Sequence, residues 1–144
     1  MNEDIYKIIS YSTEELRSEL EELLIRNGLP RDELLIVDDV DGWRLKNGDI
    51  GERQYNPFRV ASRVYSQKDK RYIILFRKEI TNHMIDSVKG LMSFQYGPIQ
   101  LDKIKDPILF IKHTMLHEIA HSQYSSEQEC DLWAFDQMDK IAGT

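Results

Sequence analysis

The chain has one cysteine, Cys130, among 144 residues. An internal disulfide framework and an all-cysteine zinc cluster are therefore excluded, and a reducing, cytoplasmic setting is the expectation. Excess positive charge is missing too. With 19 Lys+Arg against 25 Asp+Glu, the net charge of −6 repels phosphate backbones, so a nucleic-acid partner is not expected. Long hydrophobic runs are also lacking: stretches such as Ile108-Leu109-Phe110-Ile111 fall far short of the roughly 18 residues a membrane span needs. The acidic start Met1-Asn2-Glu3-Asp4 has none of the basic character of a secretory leader, so neither membrane nor secretion is expected. Only 4 prolines and 7 glycines are present, with no linker-like stretch, low-complexity tract or internal repeat. One domain over 1–144 follows, and 41% hydrophobic residues are enough for one buried core.

Local patterns divide that domain. Ser12-Thr13-Glu14-Glu15 has the form of a capping box, and Leu16, Leu20, Leu23 and Leu24 recur at helical spacing, which predicts a helix over 13–27 stopped by Gly28 and Pro30. The stretch 34–78 reads as strands. Leu34-Leu35-Ile36-Val37 is a short apolar run, and Trp43 to Ile50 contains Asn47-Gly48, the pair that favours a tight hairpin. Alternation from Phe58 to Tyr65, a turn at Gln67-Lys68-Asp69-Lys70 and the dense run Tyr72-Ile73-Ile74-Leu75-Phe76 predict a second hairpin. Thr81 can cap a helix with Met84, Ile85, Val88, Leu91 and Met92 on its apolar side, and Ser93 to Lys105 reads as a loop. Asp106-Pro107 opens a helix over 106–122, and a last helix is expected over 126–141. The sum is an α+β fold with a short, mainly antiparallel sheet packed on helices.

His117-Glu118-Ile119-Ala120-His121 is an H-E-x-x-H motif inside the helix over 106–122. Residues four apart project from one face and can grip one ion, and with 4 histidines in the chain roughly 0.01 such motifs are expected by chance. Zinc held by neutral imidazoles with an open position polarises a water, while a neighbouring glutamate moves its proton. His117 and His121 are thus candidate ligands of one zinc per chain, and Glu118 is the candidate general base. The surrounding Met115, Leu116, Ile119 and Ala120 are apolar, which does not suit a merely exposed pair of histidines.

A third ligand is expected from Glu127, Glu129 or Asp131 in the following segment. A helix starting at Ser126 would form a capping box with Glu129, leaving Glu127 freer to bind. Glu127 and Asp131, four apart, share a face, whereas Glu129 lies roughly 200° of rotation away. That arrangement suits Glu127 as ligand and Asp131 as the acceptor that orients a ligating histidine. Glu129 remains the alternative ligand.

His117-Glu118-Ile119-Ala120-His121 followed by Glu127-x-Glu129-Cys130-Asp131-x-Trp133-Ala134, with Thr114 three residues before the motif, resembles the ImmA/IrrE-type zinc metallopeptidases. In their typical pattern, Cys130 stands at an alanine and Trp133 at a phenylalanine. The resemblance covers about residues 110 to 135 and implies a small α+β zincin that cleaves regulatory proteins, transcriptional repressors of mobile elements among them. Only five residues separate His121 from Glu127, a shorter stretch than that family usually has. Six residues after the second histidine is also where metzincin-type proteases place their third ligand, but the glycine that helps their turn is Tyr124 here.

Other residues near the motif carry two readings each. His113, four residues before His117, could line the cleft and touch substrate or an oxyanion, or be an ordinary helix-start histidine. Tyr124 could donate to a tetrahedral intermediate or pack over the helix. Trp133, Phe135 and Met138 recur at a spacing that suits core packing, and Cys130 suits a small buried side chain. The strand from Arg71 to Phe76 is the candidate edge for binding an extended peptide by strand addition. The function expected is hydrolysis of a peptide bond in a restricted protein or peptide substrate. The alternatives are a catalytically silent zincin-fold regulatory or protein-binding module, and a domain in which zinc is purely structural.

Overall fold

Apolar side chains on both faces of one strand set the architecture. The computed structural model describes residues 8–48 and 54–142. In chain order the elements are β1 (Ser10–Ser12), α1 (Arg17–Arg26), β2 (Leu34–Val37), α2 (Val40–Lys46), β3 (Ala61–Ser66), β4 (Arg71–Arg77), β5 (Glu79–Thr81), α3 (Asn82–Met92), α4 (Pro98–Asp102), α5 (Pro107–Ala120) and α6 (Glu127–Ala142). The fold is α+β, as expected. β2, β4 and β3 form a mixed sheet in that order, with β2 parallel and β3 antiparallel to β4, and β1 pairs antiparallel with β5. Ile74 and Phe76 of β4 face the main core with Leu20 and Leu24 of α1, Phe110, Ile111 and Met115 of α5, and Phe135 of α6. Ile73 and Leu75 face the opposite side, against Val40 and Val64. Burial on both faces explains the unbroken apolar run of β4. Each such side chain removed from water contributes about 1.5–3 kcal/mol.

This centrality overturns the expectation that Arg71 to Phe76 offers an edge for a peptide: both edges of β4 are already paired. The edge beside α5 belongs to β3. Arg77 N donates to Val60 O at 2.8 Å, so Val60 faces β4, whereas the Arg63 amide points away from it. By the two-residue period of a strand, the backbone groups of Ala61 and Tyr65 point away as well.

Three further expectations need correction. The segment from Trp43 onward is no strand: Val40–Lys46 is helical because the Asp39 carboxylate accepts from Gly42 N at 3.1 Å. Gly48, at φ +71°, ends that helix instead of turning a hairpin, and Ile50 lies outside the described residues. The helix expected over 13–27 begins only at Arg17, since Ser12 is in β1 and the Thr13 hydroxyl donates to Arg77 O at 2.9 Å. The Thr13 side chain therefore ties the strands together instead of capping a helix. Within the expected loop from Ser93 to Lys105, Pro98 starts the short helix α4.

The expected helix starts at Thr81 and Asp106 are present. Thr81 Oγ1 accepts from Met84 N at 3.2 Å, and Asp106 Oδ1 accepts from Ile108 N at 2.8 Å. Among the described residues no helix is long and apolar enough to cross a membrane.

Candidate metal centre

The α5 helix is apolar along most of its surface because it lies between α1, α6 and the sheet; Lys112, Thr114 and His117 are half-buried, and Glu118 is buried. His117 and Glu118 occupy its last turn, and His121 follows directly with a still helical backbone. The chain then reverses through bonds from Ser122 N to Ile119 O, Gln123 N to Ala120 O and Tyr124 N to Ala120 O, at 3.0, 2.8 and 2.9 Å. No left-handed residue is needed, so tyrosine serves where glycine was expected to help. Ser126 Oγ accepts from Glu129 N at 3.1 Å and starts α6, which places Glu127 at the first helical position over the end of α5.

Two imidazoles and one carboxylate meet there. Glu127 Oε2 lies 2.5 Å from His117 Nε2 and 3.3 Å from His121 Nε2. On the far side of the His117 ring, Nδ1 lies 2.6 Å from Asp131 Oδ1, and Asp131 Oδ2 accepts from the Tyr96 hydroxyl at 3.0 Å. Asp131 thus sits where an orienting acceptor was expected. Burial by itself disfavours a charged His117, but the Asp131 and Glu127 carboxylates outweigh it and lift the imidazole to about 10. Glu127 raises His121, and the two imidazoles in turn hold Glu127 far below the usual carboxylate range.

Glu118 is arranged differently. Its side chain is buried, with Oε1 accepting from the Arg63 amide at 2.8 Å and Oε2 standing 3.9 Å from His117 Nε2. Burial pushes its pKa up. Nothing in the sequence announced the Arg63 contact, because a backbone amide has no residue-type signature.

The donor set could hold a metal ion. One donor atom each from His117, Glu118 and His121 lies within 4.8 Å of the other two. Glu127 Oε2 is nearer both imidazoles than Glu118 is to His117, and Glu118 already spends one oxygen on β3. Ligand atoms about 2.0–2.1 Å from a tetrahedral ion are about 3.3 Å apart. The His121–Glu127 separation already has that value, and the exposed Glu127 side chain has room to withdraw from His117. A cation there would displace the imidazole protons now shared with Glu127.

The remaining candidates fall at varied distances from this point. Glu129 is exposed, and its amide completes the cap at Ser126. Tyr124 is half-buried, and its carbonyl accepts from the Cys130 thiol at 3.7 Å. Burial pushes that thiol up to about 12. His113 is 2% exposed, its ring centroid 4.3 Å from that of Phe135, and its Nε2 has no hydrogen-bond partner among the described residues. Phe135 and Met138 lie in the core, with Trp133 packed against it.

Two cavities meet at Glu118. One, about 440 Å³, is bordered by Arg59, Arg63, Tyr72, His121 and Glu127. The other, about 270 Å³, is bordered by Phe58, Val60, Val88, Met92 and His113. No protein-family model, curated protein or solved structure matches the chain.

Proposed function

We propose that this chain is a zinc-dependent peptidase of the ImmA/IrrE kind, acting on a restricted protein or peptide substrate such as a transcriptional repressor. The observation that carries the proposal is the convergence of His117 Nε2 and His121 Nε2 on one Glu127 oxygen beside a buried Glu118 whose Oε2 has no hydrogen bond among the described residues. His117, His121 and Glu127 would hold the ion, which when bound supplies Lewis acidity to a water and to the scissile carbonyl.

The chain's own groups do the rest. Asp131 accepts the Nδ1 proton of His117, which leaves the Nε2 lone pair directed at the site. The Arg63 amide fixes Glu118 Oε1, so Oε2 takes the proton of the attacking water. Water oxygen bonds to the carbonyl carbon, the carbon–nitrogen bond breaks, and Glu118 returns the proton to the departing amine. Ala61 and Tyr65, on the outward edge of β3, offer backbone groups along which an extended substrate can pair.

The test is metal content by elemental analysis of protein purified without a metal-binding tag, comparing the wild type with Glu127→Ala and Glu129→Ala, followed by a peptide-hydrolysis screen. Near one zinc per chain, lost in Glu127→Ala and kept in Glu129→Ala, is the expected result. A wild type that takes up no zinc even after supplementation overturns the reading.

A further inference from the structure

Arg59 and Arg63 border the larger cavity together with Glu118, His121 and Glu127. Among the described residues, each gives a hydrogen bond to an acid through Nε alone. Arg59 Nε donates to Asp41 Oδ1 at 2.8 Å, and Arg63 Nε donates to Glu33 Oε2 at 3.3 Å. Both acids are deeply buried, with side chains 0% and 5% exposed. The Arg63 guanidinium also lies over the Tyr72 ring, 4.3 Å from its centroid. Among the described residues, no protein partner takes the terminal Nη1 and Nη2 groups of either arginine.

An arginine that served only to neutralise a buried acid would gain most by presenting two parallel N–H groups to it. Here each acid takes one N–H of its arginine, and among the described residues the rest of the fork is left over, its plane already set by the pairing and, for Arg63, by the tyrosine. A fork fixed in advance loses little side-chain freedom when it meets a planar carboxylate, for which its donor spacing is suited. We propose that Arg59 and Arg63 select a carboxylate in the substrate, close to the bond being cut. This rests on the peptidase reading of the same site and narrows its substrate to peptides with an acidic group in that position. Two sources share the chemistry: an Asp or Glu side chain, and the α-carboxylate of a substrate's C-terminus. Because each guanidinium charge is matched by its buried acid, selection comes from short hydrogen bonds and not from long-range attraction by a chain of net charge −6.

The test uses zinc-loaded Glu118→Gln protein, which binds without cutting, and blocked alanine hexapeptides carrying one glutamate walked through every position. Each is paired with its glutamine twin, and a further all-alanine pair differs only in a free or amidated C-terminus. Binding is followed through the Arg59 and Arg63 side-chain N–H signals in nitrogen-15 NMR spectra. At one glutamate position, or with the free C-terminus, affinity is expected to be at least tenfold higher than for the twin, and the responding arm identifies the source. Arg63→Lys, which keeps a positive charge beside Glu33 but loses the planar fork, should bring that ratio close to one, with Arg59→Lys as the matching variant. Equal affinity within every pair overturns the proposal, as does a preference that survives in both variants. Incubating the same peptides with the wild type separates the two readings: cleavage without any acidic preference removes the proposal and leaves the peptidase, whereas preference without any cleavage keeps the carboxylate site and removes the peptidase.

Discussion

Asp41 and Glu118 are both buried carboxylates, one holding an arginine that borders the cleft and the other bordering it directly, and they are partnered in opposite ways. Asp41 spends both oxygens inside the protein: Oδ1 accepts from Arg59 Nε and Oδ2 from the Asn56 amide, each at 2.8 Å, with Arg44 Nη1 3.7 Å from Oδ1. Glu118 spends only Oε1, and Oε2 has no hydrogen bond among the described residues. Burying a carboxylate is costly whichever way it is used. Where both oxygens are satisfied, the return is structural, since Asp41 fixes the segment that presents Arg59 to the cleft. Where one is left without a hydrogen bond among the described residues, beside two histidines, the proposed role as base is what would offset the cost.

Glu118→Gln is the sharpest way to test that contrast and carries the largest expected effect. It should keep zinc and the bond to the Arg63 amide while lowering kcat by about 10²–10⁴-fold, the usual share of a general base. Stability of the metal-free protein should hold or rise, because burial already opposes the charge on Glu118. Single-turnover kinetics and urea unfolding on the same samples check both halves, and equal turnover in variant and wild type would discard the mechanism.

Asp41→Ala should do the reverse. It strands Arg59 beside a hole at a fully buried position, so urea unfolding should show a loss of about 3–5 kcal/mol. Zinc content of the folded fraction should not change, since no ligand touches Asp41. A stable variant that loses its metal would break the division between the two acids.

His113 provides a third buried group, this one held neutral. Burial lowers its pKa from the ordinary 6.5 to about 4. An unfolded chain therefore takes up this proton as the pH falls through 6.5, while the native chain refuses it until about 4. Stability is lost across that window, by about 3 kcal/mol for this group alone. His113→Phe keeps a ring against Phe135 and should flatten the slope between those pH values in urea unfolding of the metal-free protein, with little change above pH 7. Parallel curves for variant and wild type would show that the ring is not held neutral.

The sequence was most readable where the determinants are local. The α5 helix announced itself through Asp106-Pro107 and the H-E-x-x-H spacing, and the β3–β4 hairpin through alternation and a four-residue turn. Legibility failed where distant residues decide. Ser10 pairs with Thr81 across about half of the chain, which removed Ser12 from its supposed capping role. Asn47-Gly48 is ambiguous by nature, because the left-handed glycine that turns a hairpin also ends a helix, and only the Asp39 cap settles which. The apolar run of β4 fits a central strand or an edge equally, and the parallel partner β2 decides it. At the site, the three carboxylates after His121 were visible, but the position of Glu127 over the histidines depends on how the turn before Ser126 closes.

Asp131 offers the finest division within the site, between a group proposed to hold an ion and one proposed to aim its holder. Its two oxygens contact His117 Nδ1 and the Tyr96 hydroxyl, which suits the second role. Asp131→Asn keeps the size and one acceptor but gives up the negative charge that makes His117 a stronger donor, so zinc affinity should fall about 10–100-fold without loss of stoichiometry. Tyr96→Phe removes only the hydroxyl that steadies Asp131 and should cost less than the asparagine variant does. Competition with a chromogenic chelator measures both. If Asp131→Asn instead abolishes zinc binding as fully as His117→Ala, then Asp131 is itself a ligand, and Glu127, exposed at the start of α6, becomes the group that merely covers the site.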